Sequence, residues 1–80
     1  MVCYVYVLKS QATSRFYIGS TEDVERRIVE HNSGKSTSTR GRGPWQLYWQ
    51  REFPDRVEAV RYERYLKSQK SRRVLEDLTR

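Results

Sequence analysis

The chain has 80 residues and a formal net charge of +6, from 16 lysine and arginine residues against 10 aspartate and glutamate residues. This length predicts one small domain, residues 1–80, with no room for two hydrophobic cores. A single cysteine excludes an intrachain disulfide and a cysteine-based zinc site. No apolar run approaches the roughly 18 residues of a membrane span, and no signal peptide is recognisable. We therefore expect a cytoplasmic protein without a membrane partner.

The positive charge is unevenly distributed along the chain. Residues 33–80 hold twelve of the sixteen basic residues but six of the ten acidic ones, so the whole excess lies there. A surface of this kind predicts a polyanionic partner. The alternative interpretation is a basic surface that serves only solubility.

The first two predicted elements are strands that form a hairpin. Residues 3–9 are β-branched and aromatic without a breaker, which indicates a buried strand with its tyrosines on one face and its valines on the other. Residues 10–14 are small and polar, a length typical of a hairpin loop. Residues 15–19 form the second strand, antiparallel to the first. The hairpin would bring Tyr6 close to Tyr17.

A tight turn and a helix follow the hairpin. Gly19 permits a turn that a side chain would strain. Ser20 and Thr21 are both suitable N-caps for the helix. Asn32 and Gly34 are expected to end it.

This corner between strand and helix gathers groups that can handle a phosphate. Tyr17 precedes the helix, and Arg27 and His31 lie four residues apart on one side of it. A structural interpretation is also open: Tyr17 belongs to the core, Gly19 makes a turn and Arg27 is a solvated charge.

A basic loop leads into the third predicted strand. Residues 33–44 are rich in glycine, serine and threonine, and this composition suits either a linker or a segment that follows a phosphodiester backbone. Residues 45–53 form the strand, in which Trp45, Trp49 and Phe53 share one parity and predict one mainly apolar face. These aromatic residues are expected to pack in the core, although stacking on bases is the alternative.

The last part of the chain is predicted to be helical. Asp55 caps a helix from residue 56 to residue 66 or beyond, and Glu63 falls beside its buried stripe. A carboxylate there needs a cation: either a salt bridge to Arg27, Arg64 or Lys67, or a hard metal. Ser71 can cap a short final helix. The expected nucleic-acid contacts are Lys35, Arg40, Arg42, Lys67, Lys70 and Arg72.

Taken together, these motifs resemble the GIY-YIG nuclease family. The first signature is Tyr4-Val5-Tyr6, in which the last tyrosine matches strictly, and the second is Tyr17-Ile18-Gly19, a full match. Arg27 follows eight residues after the glycine, His31 one helical turn later, and Glu63 stands in the second long helix. The chain is most similar to small single-domain members that resemble the N-terminal nuclease domain of the excision-repair nuclease.

The resemblance implies an α/β (α+β) fold, a three-stranded antiparallel sheet flanked by helices in the order β-β-α-β-α-α. It also implies hydrolysis of phosphodiester bonds with one divalent metal, Mg²⁺ or Mn²⁺, held by Glu63. Arg27 would neutralise charge on the phosphate, and Tyr6, Tyr17 or His31 would take or orient the proton of the attacking water. The expected substrate is DNA, single-stranded or branched, with RNA open and a protein partner possible for targeting in DNA repair.

One departure from the family pattern concerns the position after the second signature. Many members carry a lysine there, and this chain has Ser20. The alternatives to an endonuclease are therefore a nucleic-acid-binding module without catalysis and a small structural or protein-interaction domain.

Overall fold

The computed structural model of the protein describes residues 1–35, 41–69 and 72–78. Within these ranges no helix is long and apolar enough to cross a membrane. The predicted order of elements, β-β-α-β-α-α, is confirmed. The elements are β1 (Cys3–Ser10), β2 (Phe16–Thr21), α1 (Val24–Asn32), β3 (Trp45–Phe53), α2 (Arg56–Gln69) and α3 (Arg72–Asp77).

The three strands form one antiparallel sheet in the order β2-β1-β3. Strand β1 is central, and its side chains are buried on both faces of the sheet. Val5 and Val7 pack with Ala59 and Leu66 of α2. On the opposite face, Tyr6 packs in a second cluster with residues of α1. The period of two in β1 thus divides the core into two halves.

The register between β1 and β3 shifts by one residue between Val7 and Leu8. Trp45 therefore packs on the α1 face, whereas Trp49 and Phe53 pack on the α2 face. The prediction that these three aromatic residues share one face was wrong, because an irregularity of this kind reverses the alternation beyond it. Trp45 is buried in the core as predicted, and Trp49 and Phe53 are partly buried against it.

Helix α1 begins later in the chain than predicted. Strand β2 continues through Ser20 to Thr21, which is paired with Tyr4 of β1, so neither Ser20 nor Thr21 caps the helix. Asp23 is the N-cap, and its Oδ1 accepts a hydrogen bond of 3.1 Å from the backbone N–H of Arg26. The sheet pairing overrides the local capping preference. At the start of α2, by contrast, the predicted cap Asp55 accepts from the N–H of Glu58 at 2.9 Å.

Asn32, the last residue of α1, fixes the start of β3. Its Nδ2 donates to the carbonyl of Trp45 at 3.0 Å, and its Oδ1 accepts from the Trp45 N–H at 2.6 Å. These two bonds imitate a pair of ladder hydrogen bonds. They join the helix that carries Arg27 and His31 to the third strand.

Candidate active site

Gly19 is the point about which the candidate site is built. The prediction of a turn at Gly19 was wrong. Gly19 lies inside β2, directly opposite Tyr6 of β1. A Cβ at this position would stand 2.6 Å from the Tyr6 hydroxyl oxygen and 2.8 Å from the ring carbon that bears it. The absence of a side chain therefore serves a close approach, and the phenol of Tyr6 lies across the strand.

Two phenols and an imidazole meet on the α1 face of the sheet. The Tyr6 Oη lies 3.1 Å from His31 Nε2. The ring centroids of Tyr17 and His31 are 4.6 Å apart, and those of Tyr6 and Tyr17 are 6.3 Å apart. Tyr6 is 1% exposed and His31 is 2% exposed, whereas Tyr17 is half-buried. Tyr17 is therefore the phenol of this cluster that reaches the surface.

Burial sets the protonation of the Tyr6–His31 pair. It raises the pKa of the Tyr6 phenol, and a hydrogen bond from Arg27 only partly offsets this rise. Burial also lowers the pKa of His31, and the positive charge of Arg27 lowers it further. At neutral pH the pair thus consists of a neutral phenol and a neutral imidazole, whose Nε2 is able to accept the phenol hydrogen.

Arg27 is held at this cluster by a carboxylate on its own helix. Its Nη1 donates to Glu30 Oε1 at 2.7 Å. Hydrogen bonds with Tyr6 and then with Glu30 raise the pKa of the guanidinium, and Arg27 in turn lowers the pKa of the Glu30 carboxyl group. Glu30 was not among the predicted site residues, although its i,i+3 spacing from Arg27 is a recognisable signal.

Glu63 lies on the opposite face of the sheet, on α2. Its Oε1 accepts a 2.6 Å hydrogen bond from the Ser20 hydroxyl, and its Oε2 lies 2.7 Å from Lys67 Nζ. Of the three salt-bridge partners considered from the sequence, the structure pairs Glu63 with Lys67. Ser20 follows Gly19 along β2, so Glu63 and Tyr6 meet neighbouring residues of one edge strand. The negative charge of Glu63 contributes to raising the pKa of Tyr6.

A groove of about 600 Å³ borders the same edge strand, and we call it the basic groove. Arg15, Lys67 and Arg72 line it together with Phe16 and Tyr17, and none of its described lining residues is acidic. The Arg72 guanidinium lies 5.1 Å from the centre of the Phe16 ring. Because Tyr17 belongs to both features, the basic groove opens directly beside the tyrosine–histidine cluster.

The residues expected to contact nucleic acid fall in two places. Lys67 and Arg72 line the basic groove. Lys35 and Arg42 are exposed beyond the end of α1 and before β3, next to a cavity that His31 helps to line. The two remaining residues of that prediction lie outside the described residues; they are Arg40 and Lys70.

The donor atoms around Glu63 fit a magnesium-like ion. Among the residues described, no group of three or more histidine, cysteine, aspartate or glutamate residues could form an all-protein metal cage. Mg²⁺ commonly binds through one or two carboxylates and completes its shell with water and substrate phosphate. One carboxylate with a neighbouring hydroxyl, Glu63 with Ser20, matches that requirement.

Comparison with known proteins identifies relatives along almost the whole chain. The GIY-YIG catalytic domain model matches residues 2–76. The UPF0213 protein BH0048 of Halalkalibacterium halodurans is 47% identical over 76 residues, which span 94% of this chain and 79% of that protein. A UPF0213 protein of Nitratidesulfovibrio vulgaris is 41% identical over 85% of this chain and 62% of its own length.

A solved structure shares this arrangement of strands and helices. The solution NMR structure of the UPF0213 protein BH0048 from Bacillus halodurans superposes with a TM-score of 0.59 at 45% sequence identity. The superposition covers 99% of this chain and 83% of that one.

Proposed function

The chain belongs to the GIY-YIG catalytic domain family, and we propose that it is a metal-dependent endonuclease that hydrolyses phosphodiester bonds in DNA. The family consists of endonucleases that generally use a divalent metal. One observation carries the proposal: Tyr6, which lies against Gly19, contacts both His31 and Arg27. Glu63 is hydrogen-bonded to Ser20, the next residue of the same strand. A cation bound by Glu63 and a phosphodiester bound by Arg27 would both be held at this edge of the sheet.

Glu63, with the Ser20 hydroxyl beside it, would hold Mg²⁺ or Mn²⁺. The ion, when bound, polarises the scissile phosphate and stabilises the leaving oxygen. Arg27 supplies the second positive charge, and its bond to Glu30 fixes the guanidinium before substrate arrives. A charge that needs no reorganisation stabilises the developing negative charge of the transition state most effectively.

The exposure of the three candidate bases suggests a division of roles. Half-buried Tyr17 orients the attacking water, since it is the phenol of the cluster that reaches the basic groove. Burial disfavours the phenolate of Tyr6. Neutral His31 accepts the Tyr6 hydroxyl hydrogen at Nε2 over 3.1 Å. A proton from the attacking water would therefore reach His31 through Tyr6, whose oxygen takes that proton as its own hydrogen passes to Nε2.

The substrate strand is proposed to run past Tyr17. The basic groove lies beside this residue. Lys35 and Arg42 are exposed between the C-terminal end of α1 and the start of β3. These cations would bind phosphates, which position a strand without reading its sequence. We therefore expect selectivity for DNA structure or strandedness, with single-stranded and branched DNA as the first substrates to test.

The test is cleavage of single-stranded, nicked, flapped and branched DNA with Mg²⁺ or Mn²⁺. Glu63→Gln should abolish metal-dependent cleavage, and Arg27→Met should lower kcat by roughly 10²–10³-fold. The matched control is Glu58→Gln, since Glu58 is an exposed carboxylate in the first turn of the same helix. This control variant should cleave like the unaltered protein.

Two outcomes would contradict the proposal. Equal cleavage by the Glu63→Gln protein would show that this carboxylate is not the metal ligand. Salt-dependent DNA binding without turnover under any of these conditions would favour the binding module instead, an alternative motivated by Ser20 standing where many family members carry a lysine.

A further inference from the structure

The Glu63 carboxylate is already paired with a cation of the protein, the Lys67 ammonium, at the oxygen that does not contact Ser20. The Ser20 hydroxyl donates a hydrogen bond to Oε1 at 2.6 Å, and Lys67 Nζ forms an ion pair with Oε2 at 2.7 Å. Both carboxylate oxygens are therefore engaged. A divalent ion that binds this carboxylate must share or replace one of these two contacts.

The two contacts differ in how readily they are given up. The backbone of Ser20 is fixed by its pairing with Val5 of β1, so its hydroxyl remains within reach of Glu63. The Lys67 side chain is 53% exposed, against 17% for Glu63, and an exposed ammonium on a flexible stem regains hydration when it leaves. The surface ion pair is therefore the contact that costs less to exchange.

Lys67 also lines the basic groove, beside Tyr17. An ammonium that leaves Glu63 therefore moves into a groove that already holds Arg15 and Arg72 and whose described lining includes no carboxylate. Repulsion from these cations favours its pairing with Glu63 as long as the groove is empty. A phosphate in the groove reverses this preference.

We propose that Lys67 is an internal counter-ion that occupies the metal-binding oxygen of Glu63 and is exchanged for the divalent ion, moving into the basic groove. This inference rests on the proposed function. Lys67 is a positioning residue here: it holds the carboxylate in place before the metal binds and adds a cation to the substrate groove afterwards.

Limited acetylation by an amine-reactive ester, followed by mass spectrometry of each lysine, tests the exchange without turnover. Saturating Mn²⁺ should raise the rate at Lys67 by about two- to fivefold, the factor that corresponds to an exposed ion pair. Lys9 and Lys35 are internal controls whose rates should not change. In Glu63→Gln, Lys67 should react fast with or without Mn²⁺.

Electron paramagnetic resonance titration with Mn²⁺ alone gives the second measurement. Lys67→Gln should bind Mn²⁺ about two- to fivefold more tightly than the unaltered protein. Arg64→Gln removes an exposed positive charge next to Glu63 in the chain and should leave the affinity unchanged.

The outcomes separate this inference from the proposed function. Mn²⁺ binding that needs Glu63 but leaves the Lys67 acetylation rate and the Lys67→Gln affinity unchanged overturns the exchange and leaves the nuclease proposal standing. Equal Mn²⁺ affinity in the unaltered and Glu63→Gln proteins overturns both.

Discussion

At the scale of single residues, the contact between Gly19 and Tyr6 sets the geometry of the candidate site. Gly19→Ala would place a Cβ 2.6 Å from the Tyr6 hydroxyl, so the phenol must leave His31. We expect a loss of roughly 1–3 kcal/mol in the free energy of unfolding, typical of overpacking, together with a loss of cleavage. Urea denaturation measures the first effect.

A double-mutant cycle identifies the cause of that loss. In a Tyr6→Leu background the ring that meets the new Cβ is gone, so Gly19→Ala should cost much less stability there. An equal cost in both backgrounds would mean that the clash with Tyr6 is not the reason for the glycine.

The chain's single histidine predicts a pH dependence of stability. Burial, and then Arg27, lowers the pKa of His31 in the folded protein, whereas an unfolded chain titrates near its ordinary value of about 6.5. Below that value the unfolded state binds the proton more readily. The free energy of unfolding should therefore fall as the pH is lowered from about 7 to about 5.

Urea denaturation of the unaltered and His31→Gln proteins across this range isolates the contribution. All other titrating groups are common to both proteins, so the difference between the two curves belongs to His31. The variant should lose less stability on acidification, and parallel curves would contradict the prediction.

At the scale of elements, Asn32 is the connection between α1 and β3. Asn32→Ala removes both bonds to the Trp45 backbone. The loss should cost about 1–3 kcal/mol, because the backbone groups at the start of β3 lose their partners. Ser33→Ala is the matched control, because its hydroxyl donates to the Glu30 carbonyl of its own helix. A similar cost for both variants in thermal unfolding would argue against the bridging role.

At the scale of the whole molecule, the net charge of +6 becomes a prediction about salt. DNA affinity should fall as salt rises, with a slope that counts the phosphates neutralised. Arg15→Gln, in the basic groove, should lower the magnitude of that slope by about 0.7 for single-stranded DNA. Arg61→Gln is the matched control: it removes the same charge from an arginine that pairs with Glu58 outside the groove. The salt dependence of this variant should equal that of the unaltered protein.

The sequence predicted the order of the elements because each one has a local cause. Strand β1 is β-branched and aromatic, and Asp55 caps α2 where the pattern required. The errors arose where a distant partner decided the outcome. Pairing with β1 drew Ser20 and Thr21 into β2, and a register shift sent Trp45 to the face opposite Trp49.

The same distinction applies to the candidate site. The four-residue spacing of Arg27 and His31 was enough to predict that they lie on the same side of one helix. The bond between Ser20 and Glu63 joins residues 43 positions apart, and no periodicity in either segment encodes it. It follows from the alternation of β2, which directs Gly19 to one face and Ser20 to the other.

The pairing of β1 with β3 joins two parts of the chain that hold different residues of the candidate site. Tyr6, Tyr17, Arg27 and His31 all precede residue 33, whereas Glu63 follows β3, and the two parts are joined by the pairing of β1 with β3. A chain divided between α1 and β3 would yield two fragments, one with the phenols and guanidinium and one with the carboxylate. Under the proposed function neither fragment would hold the complete site, so the protein is a candidate for a split reporter in which cleavage returns on reassembly.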